Sequence, residues 1–208
     1  MKKNNVTHHE MAEYCTSLQK IGSHKEALLR LENLDYQIEP QILIYKTFCL
    51  YNTWNFMQAI PLLETYIGLD NISDYQRLIG EINLIAALVV IRNFPEAKPL
   101  LDRFIRVAKK QGFSRLQANA LELYSQIHIE QRDYRAAKKT LEGSLSLFGD
   151  KFSLDRFFAE KWLLVIQARV SKSTSPIQHY RKLAKKIGHV ESLRDADYQE
   201  LRINDRPS

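Results

Sequence analysis

The stretch LQANALELYSQIHIEQRDYRAAKKTLEGSLSLF, residues 116–148, decides the fold. Its apolar residues recur three and four apart on both sides of Gln131-Arg132-Asp133-Tyr134, which predicts two antiparallel helices joined by a tight turn. In the second helix Tyr134, Ala137 and Leu141 place an aromatic, a small and an aliphatic side chain on one stripe, because residues three and four apart share a helix face. The same phrase recurs in His24, Ala27 and Leu31, in Phe56, Ala59 and Leu63, and in Phe94, Ala97 and Leu101. The four alanines are 32, 38 and 40 residues apart. A side chain larger than a methyl there would push each hairpin apart, while the aromatic or His wedges the turn against the next unit. Four copies of a two-helix unit predict an all-α helical-repeat chain.

Downstream of this stretch, Phe148-Gly149-Asp150 closes the unit and Ser153 caps an apolar helix over 154–170, with Phe157, Phe158, Trp162, Leu163 and Ile166. Ser171 to Pro176 is the most linker-like segment. A basic helix (177–187), a short helix (190–201) and a disordered tail (204–208) are expected beyond it. Residues 1–170 thus form the repeat domain, and 171–208 a linker with C-terminal helices that pack on or cap the stack. Upstream, Thr7 and Glu10 form a capping box for a helix to Lys20, and Gly22-Ser23 turns the chain. Pro40 opens a helix over 41–52, Pro61 falls in the first turns of the next, Ser73 caps a helix to about Ile91, and Gly112 ends the one that follows.

With 45% hydrophobic and 26% charged residues the composition is that of a globular protein, and only 7 Gly and 6 Pro suit long helices with short turns. The apolar run 82–91 is too short to span a bilayer, which needs about 20 residues. Lys2 and Lys3 are not followed by an apolar segment, so no export signal is expected. Cys15 and Cys49 fall in different repeats, as buried thiols rather than a disulfide, and a reducing, cytoplasmic compartment is the expectation. The net charge of +6 is uneven: residues 1–100 carry 9 basic and 11 acidic side chains, residues 101–208 carry 21 and 13. Such an imbalance implies an acidic partner or nucleic acid, or else a solvated helix face.

The hairpin pattern resembles the tetratricopeptide repeat family over residues 8–148, best in Gln131-Arg132-Asp133-Tyr134-Arg135-Ala136-Ala137. The small residue that this family places midway along each first helix is kept as Cys15, Thr47 and Ser125 but is Ile85 in the third unit; the turn glycine is present only as Gly22, and two of the three spacings exceed the usual 34 or so. The resemblance implies a right-handed α-solenoid of about four hairpins plus C-terminal helices, and a non-enzymatic interaction module or scaffold. Its inner, concave side comes from the first helix of each unit. That geometry presents Ile44, Phe48, Tyr51, Asn52, Ile82, Ala86 and Val89, then Asn119, Glu122, Gln126 and Ile129, as a groove for a peptide or helix of a partner protein. A tight superhelix or a terminal helix filling this groove is the alternative. Thr16 and Tyr45 stand where the family's carboxylate-gripping members carry amides, which disfavours capture of a partner's C-terminus.

The sequence contains no phosphate-cradling loop. His8, His9 and Glu10 lack the spacing of a metalloprotease helix, and no motif pairs a cysteine with a histidine. No metal, no cofactor and no catalytic residue are therefore expected. A second constellation is basic: Arg103, Arg106, Lys109 and Lys110, then Arg132, Arg135, Lys138 and Lys139, then Arg181, Lys182, Lys185 and Lys186. On successive return helices these predict an outer ridge suited to an acidic protein or a phosphate backbone, the route by which a signalling or transcription-associated regulator would act. No recognition-helix motif or stacking platform accompanies it.

Overall fold

The structure, a computed structural model, describes residues 6–149, 153–188 and 190–204. Among them the regular structure is helical throughout, with no strand. The helices are α1 (His8–Lys20), α2 (His24–Glu32), α3 (Gln41–Asn52), α4 (Phe56–Ile67), α5 (Asp74–Val90), α6 (Phe94–Lys110), α7 (Ser114–Glu130), α8 (Tyr134–Phe148), α9 (Ser153–Ser171), α10 (Ser175–Ile187) and α11 (Val190–Asn204). Lys2, Lys3, Asp150 and residues 205–208 of the expected disordered tail lie outside the described residues; Asn204 ends α11. Among the described residues no helix is long and apolar enough to cross a membrane.

Local sequence explains where helices start and stop. The Thr7 and Ser73 hydroxyls each accept from the backbone three residues on, and Glu10 and Gln76 reach back to the cap backbone, so both are capping boxes. Gly112, at φ 72°, ends α6 with the Phe113 amide donating to the Ala108 carbonyl at 2.9 Å. Pro61 is the sixth residue of α4 rather than one of its first, and it sits on an exposed face. There the carbonyl it frees can turn to water.

Besides the Gly112 turn, five helix-to-helix turns share its geometry. Gly22, Trp54, Arg92, Arg132 and Lys172 all have positive φ, between 53° and 89°. The amide of the next residue (Ser23, Asn55, Asn93, Asp133 or Ser173) donates to the carbonyl five residues back, at 2.8–3.2 Å. This is a left-handed helix stop, and its second residue is in each case a type that also caps the next helix. Five residues after each left-handed residue comes a side chain with no exposure: Ala27, Ala59, Ala97, Ala137 and Ile177. The fifth turn, between α9 and α10, was not anticipated, because Ile177 occupies the small-residue place, Thr174 the aromatic one and Arg181 the aliphatic one.

The chain divides into two compact units, residues 1–97 and 98–208. In the first, α1 to α5 pack in sequence. One cluster joins Ala12, Cys15, Leu18, Ala27, Leu31, Ile42 and Cys49, and another joins Leu43, Ile44, Leu50, Ala59, Leu63 and Tyr66. In the second, α7 packs on α8, α8 on α9, α9 on α10 and α10 on α11, around Ile129, Ala137, Leu141, Phe148, Trp162, Val165, Ile177 and Tyr180. The division between the two units falls between Ala97 and Lys98, within α6. Pro176 and Ile177 are buried at the start of α10, so the linker-like segment is a turn inside the second unit.

Candidate functional site

In the first unit the residues assigned to an apolar groove divide by burial. Ile44, Ile82 and Val89 are at most 7% exposed, so they belong to the core and are closed to a partner. A stripe of apolar residues does not say which of its members a neighbouring helix will cover. Phe48, Tyr51, Asn52 and Ala86 are half-buried. Phe48 and Tyr51 pack on the cluster around Leu43, Ile44 and Tyr66. The Tyr51 hydroxyl donates to the Asn83 carbonyl at 2.5 Å, its ring lies 4.8 Å from that of Phe56, and burial pushes its pKa up. Nearby, Gln19 Nε2 donates to the Tyr45 carbonyl at 2.8 Å and to Cys49 Sγ at 2.9 Å. The Tyr45 hydroxyl donates to Glu13 at 2.7 Å; burial, then that carboxylate, raise it to about 12.

His8 Nδ1 accepts from the Asp35 amide at 3.0 Å, and His9 Nδ1 lies 3.0 Å from Glu39. Both histidines thus tie α1 to the segment before α3. Among the described residues no group of three or more His, Cys, Asp or Glu is placed to hold a metal ion.

In the second unit α7, α9 and α11 share a polar network. Asn119 is half-buried at one end of the same α7 face. Glu122 Oε1 accepts from Trp162 Nε1 at 2.9 Å and from Gln126 Nε2 at 3.3 Å. Burial raises the Glu122 pKa against the opposing pull of Lys161 and these two donors. Lys161 Nζ is 2.9 Å from Asp195 Oδ2 and 4.7 Å from the centre of the Trp162 ring. Burial acts to lower the lysine, but Asp195, Tyr180 and Glu122 outweigh it and the net shift is upward. The Asp195 carboxylate also accepts from Tyr180 and Gln199, both at 3.3 Å. Gln199 accepts from Arg169 at 3.2 Å, and Arg169 pairs with Glu130 at 3.0 Å. Arg202 grips the same Glu130 with two nitrogens, at 2.6 and 2.8 Å. Three cations and three carboxylates thus alternate across three helices.

Of the members of this network the sequence reading named Glu122 and Gln126, as groove residues, and did not name Glu130, Lys161, Arg169, Asp195 and Arg202. A signal existed: Lys161 and Arg169 stand eight residues apart, two helical turns, in a helix taken as simply apolar. Ile129, expected on the inner side, is fully buried.

The basic groups are exposed on α6 (Arg103, Arg106, Lys109, Lys110), at the turn and start of α8 (Arg132, Arg135, Lys138, Lys139) and on α10 (Lys182, Lys185, Lys186). The α6 and α8 groups stand at different levels of their own helices. Counted from the left-handed residue of its own turn, the α8 group begins at the turn itself, whereas the α6 group starts eleven residues on, on the order of 16 Å further along its helix. Arg181 pairs with Asp197 and Glu200 of α11, both at 2.6 Å. Compared with protein-family models, curated proteins and solved structures, the chain finds no match.

Proposed function

We propose that the chain is a non-enzymatic protein-interaction module, a right-handed solenoid of tetratricopeptide-like hairpins whose inner side takes a helix or extended segment of a partner protein. The observation that carries this reading is the repeated turn. Five left-handed stops recur at steps of 32, 38, 40 and 40 residues, each followed five residues later by a fully buried side chain. Chains built from one repeated helix pair present long inner faces, and those faces are used for binding rather than chemistry. A second reading has one observation in its favour: Arg132, Arg135, Lys138 and Lys139 are exposed together, which suits an acidic protein or a nucleic-acid backbone.

The test is capture of a partner from native lysate by the full chain, its identification by mass spectrometry, and its affinity for two variant sets. On the first reading Phe48→Ala and Asn119→Ala each weaken the partner about tenfold or more while helicity is kept, as truncated interface anchors do. Full affinity for both variants, with loss on reversing Arg135, Lys138 and Lys139 to Glu, transfers the function to the basic group.

A further inference from the structure

The helix α11 packs along α10, where Arg181 pairs with Asp197 and Glu200, and it reaches α7 and α9 chiefly through polar side chains. Its contacts to them run through Asp195, Gln199 and Arg202, at i, i+4 and i+7, one face of a helix. They meet Lys161, Arg169 and Glu130. Among the described side chains of α11, Ala196 is fully buried, Leu193 and Ile203 are partly buried against the core, and Leu201 is 59% exposed. Gly188, in the left-handed region at φ 71°, ends α10. On the α7 and α9 side α11 is docked by matched polar groups more than by apolar packing, and another helix that carries the same groups can satisfy that face.

We propose that the face of α7 and α9 formed by Glu130, Lys161 and Arg169 is a helix-binding site, with α11 as its built-in occupant. The partner that displaces α11 is a helix carrying an acid, an amide and an arginine at i, i+4 and i+7. Charge complementarity selects this class. The vacated face would hold Lys161 and Arg169 beside Glu122 and Glu130, both signs in alternation. A polyanion would meet two carboxylates there, whereas a helix with an acid and an arginine seven residues apart satisfies both ends. The inference rests on the binding-module reading and names the partner class for its C-terminal end. Docking of α11 in cis gives it an effective concentration of order millimolar, so a free partner competes only when it binds well or when α11 is weakened.

The experiment uses the full chain carrying Asp195→Asn and Arg202→Gln, and as probe a fluorescent synthetic peptide with the wild-type sequence of residues 190–204. The expected result is faster hydrogen exchange in α11 of the variant, and peptide binding by anisotropy at least about tenfold tighter than to the wild type. Adding Glu130→Arg to the variant, or the same two substitutions to the peptide, should abolish that gain. Arg202→Gln alone, the milder change, should accelerate exchange in α11 to a smaller extent. Wild-type protection of α11 in both variants overturns the proposal, because the ion pairs then do not hold the helix. Released α11 with no peptide binding overturns it too, and so does a dimer by light scattering in place of peptide binding, which makes a second copy the occupant. Either failure leaves the binding-module reading standing if capture still depends on Phe48 and Asn119; loss of that dependence sinks the broader reading separately.

Discussion

Two glycines inside helices should respond to the same substitution with opposite signs. Replacing Gly by Ala in a helix interior gains about 1 kcal/mol from backbone propensity alone. Gly143 in α8 has room: an added Cβ would lie 3.7 Å from Leu121 Cδ1, an ordinary contact. Gly80 in α5 has none, since its Cβ would come 2.7 Å from Tyr66 Cδ1 and 2.9 Å from Ile67 Cγ1. The tyrosine ring has no exposure and its hydroxyl accepts from Gln41 Nε2 at 3.0 Å, so it is pinned at both ends. Overpacking of such a site costs about 1–3 kcal/mol, which outweighs the propensity gain. Gly143→Ala should therefore stabilise by up to about 1 kcal/mol, and Gly80→Ala should destabilise by roughly 1, a difference near 2. Urea denaturation followed by far-ultraviolet circular dichroism measures both. Hydrogen exchange in α4 and α5 against α7 and α8 assigns each change to its own unit. A Gly80→Ala protein as stable as the wild type would refute the close packing of α5 on α4.

Three further outcomes follow from burial. Ala137→Leu should cost about 1–3 kcal/mol in the same assay because Ala137 has no exposure, whereas Lys139→Ala on the exposed side of α8 should change stability by no more than about 0.5; equal midpoints would break the repeat register. Cys15 and Cys49 are buried, and burial raises both thiols, Cys49 to about 11, so neither should react with a disulfide reagent at pH 8 until the chain is unfolded, when both should; fast reaction of the native chain contradicts this. Burial raises the Glu122 carboxyl above its ordinary 4.5, so its contribution to stability is fully present below that pH and lost as pH rises through the folded value. Glu122→Gln keeps an acceptor for Trp162 without titrating, and the wild type should lose stability relative to it from pH 4 to pH 7; a difference that grows the other way reverses the sign of the burial argument.

The parts of the fold that were legible in the sequence are those set by short-range chemistry. Ala27, Ala59, Ala97 and Ala137 were found because a small residue between an aromatic and an aliphatic leaves a spacing, and Thr7, Ser73 and Gly112 because caps demand particular residue types. The turn itself was sought in glycine, but Trp54, Arg92, Arg132 and Lys172 take the left-handed position in four of the five repeat turns. Its steadier mark is Ser23, Asn55, Asn93, Asp133 and Ser173, short polar residues whose amides close the preceding helix; Asp133 also caps the next one, accepting from the Ala136 amide. The polar network was not legible, because its members are brought together from 30 to 72 positions apart. Helical periodicity says which side chains share a face but not which distant helix covers it. The same limit placed Ile44, Ile82 and Val89 on a groove when they lie in the core.

The positive charge of the second half divides between two places with different consequences. Lys161, Arg169, Arg181 and Arg202 are matched by Glu130, Asp195, Asp197 and Glu200, so the faces they line carry little net charge. The excess sits on exposed positions of α6, α8 and α10, which salt screens most readily. A nucleic acid held by the four cations Arg132, Arg135, Lys138 and Lys139 should lose affinity with a log–log slope near −3.6, which is more than three decades for a tenfold rise in salt. A helix docked on alternating, half-buried charges releases few ions and should lose less than about tenfold over the same range. Affinity of the captured partner between 0.05 and 0.5 M salt, roughly the interval over which the screening length shrinks from well above to well below 10 Å, reads the difference directly. A steep slope would move the binding surface to the start of α8. A shallow one points instead to a face whose cations are already answered by the chain's own acids, as Lys161, Arg169 and Arg202 are.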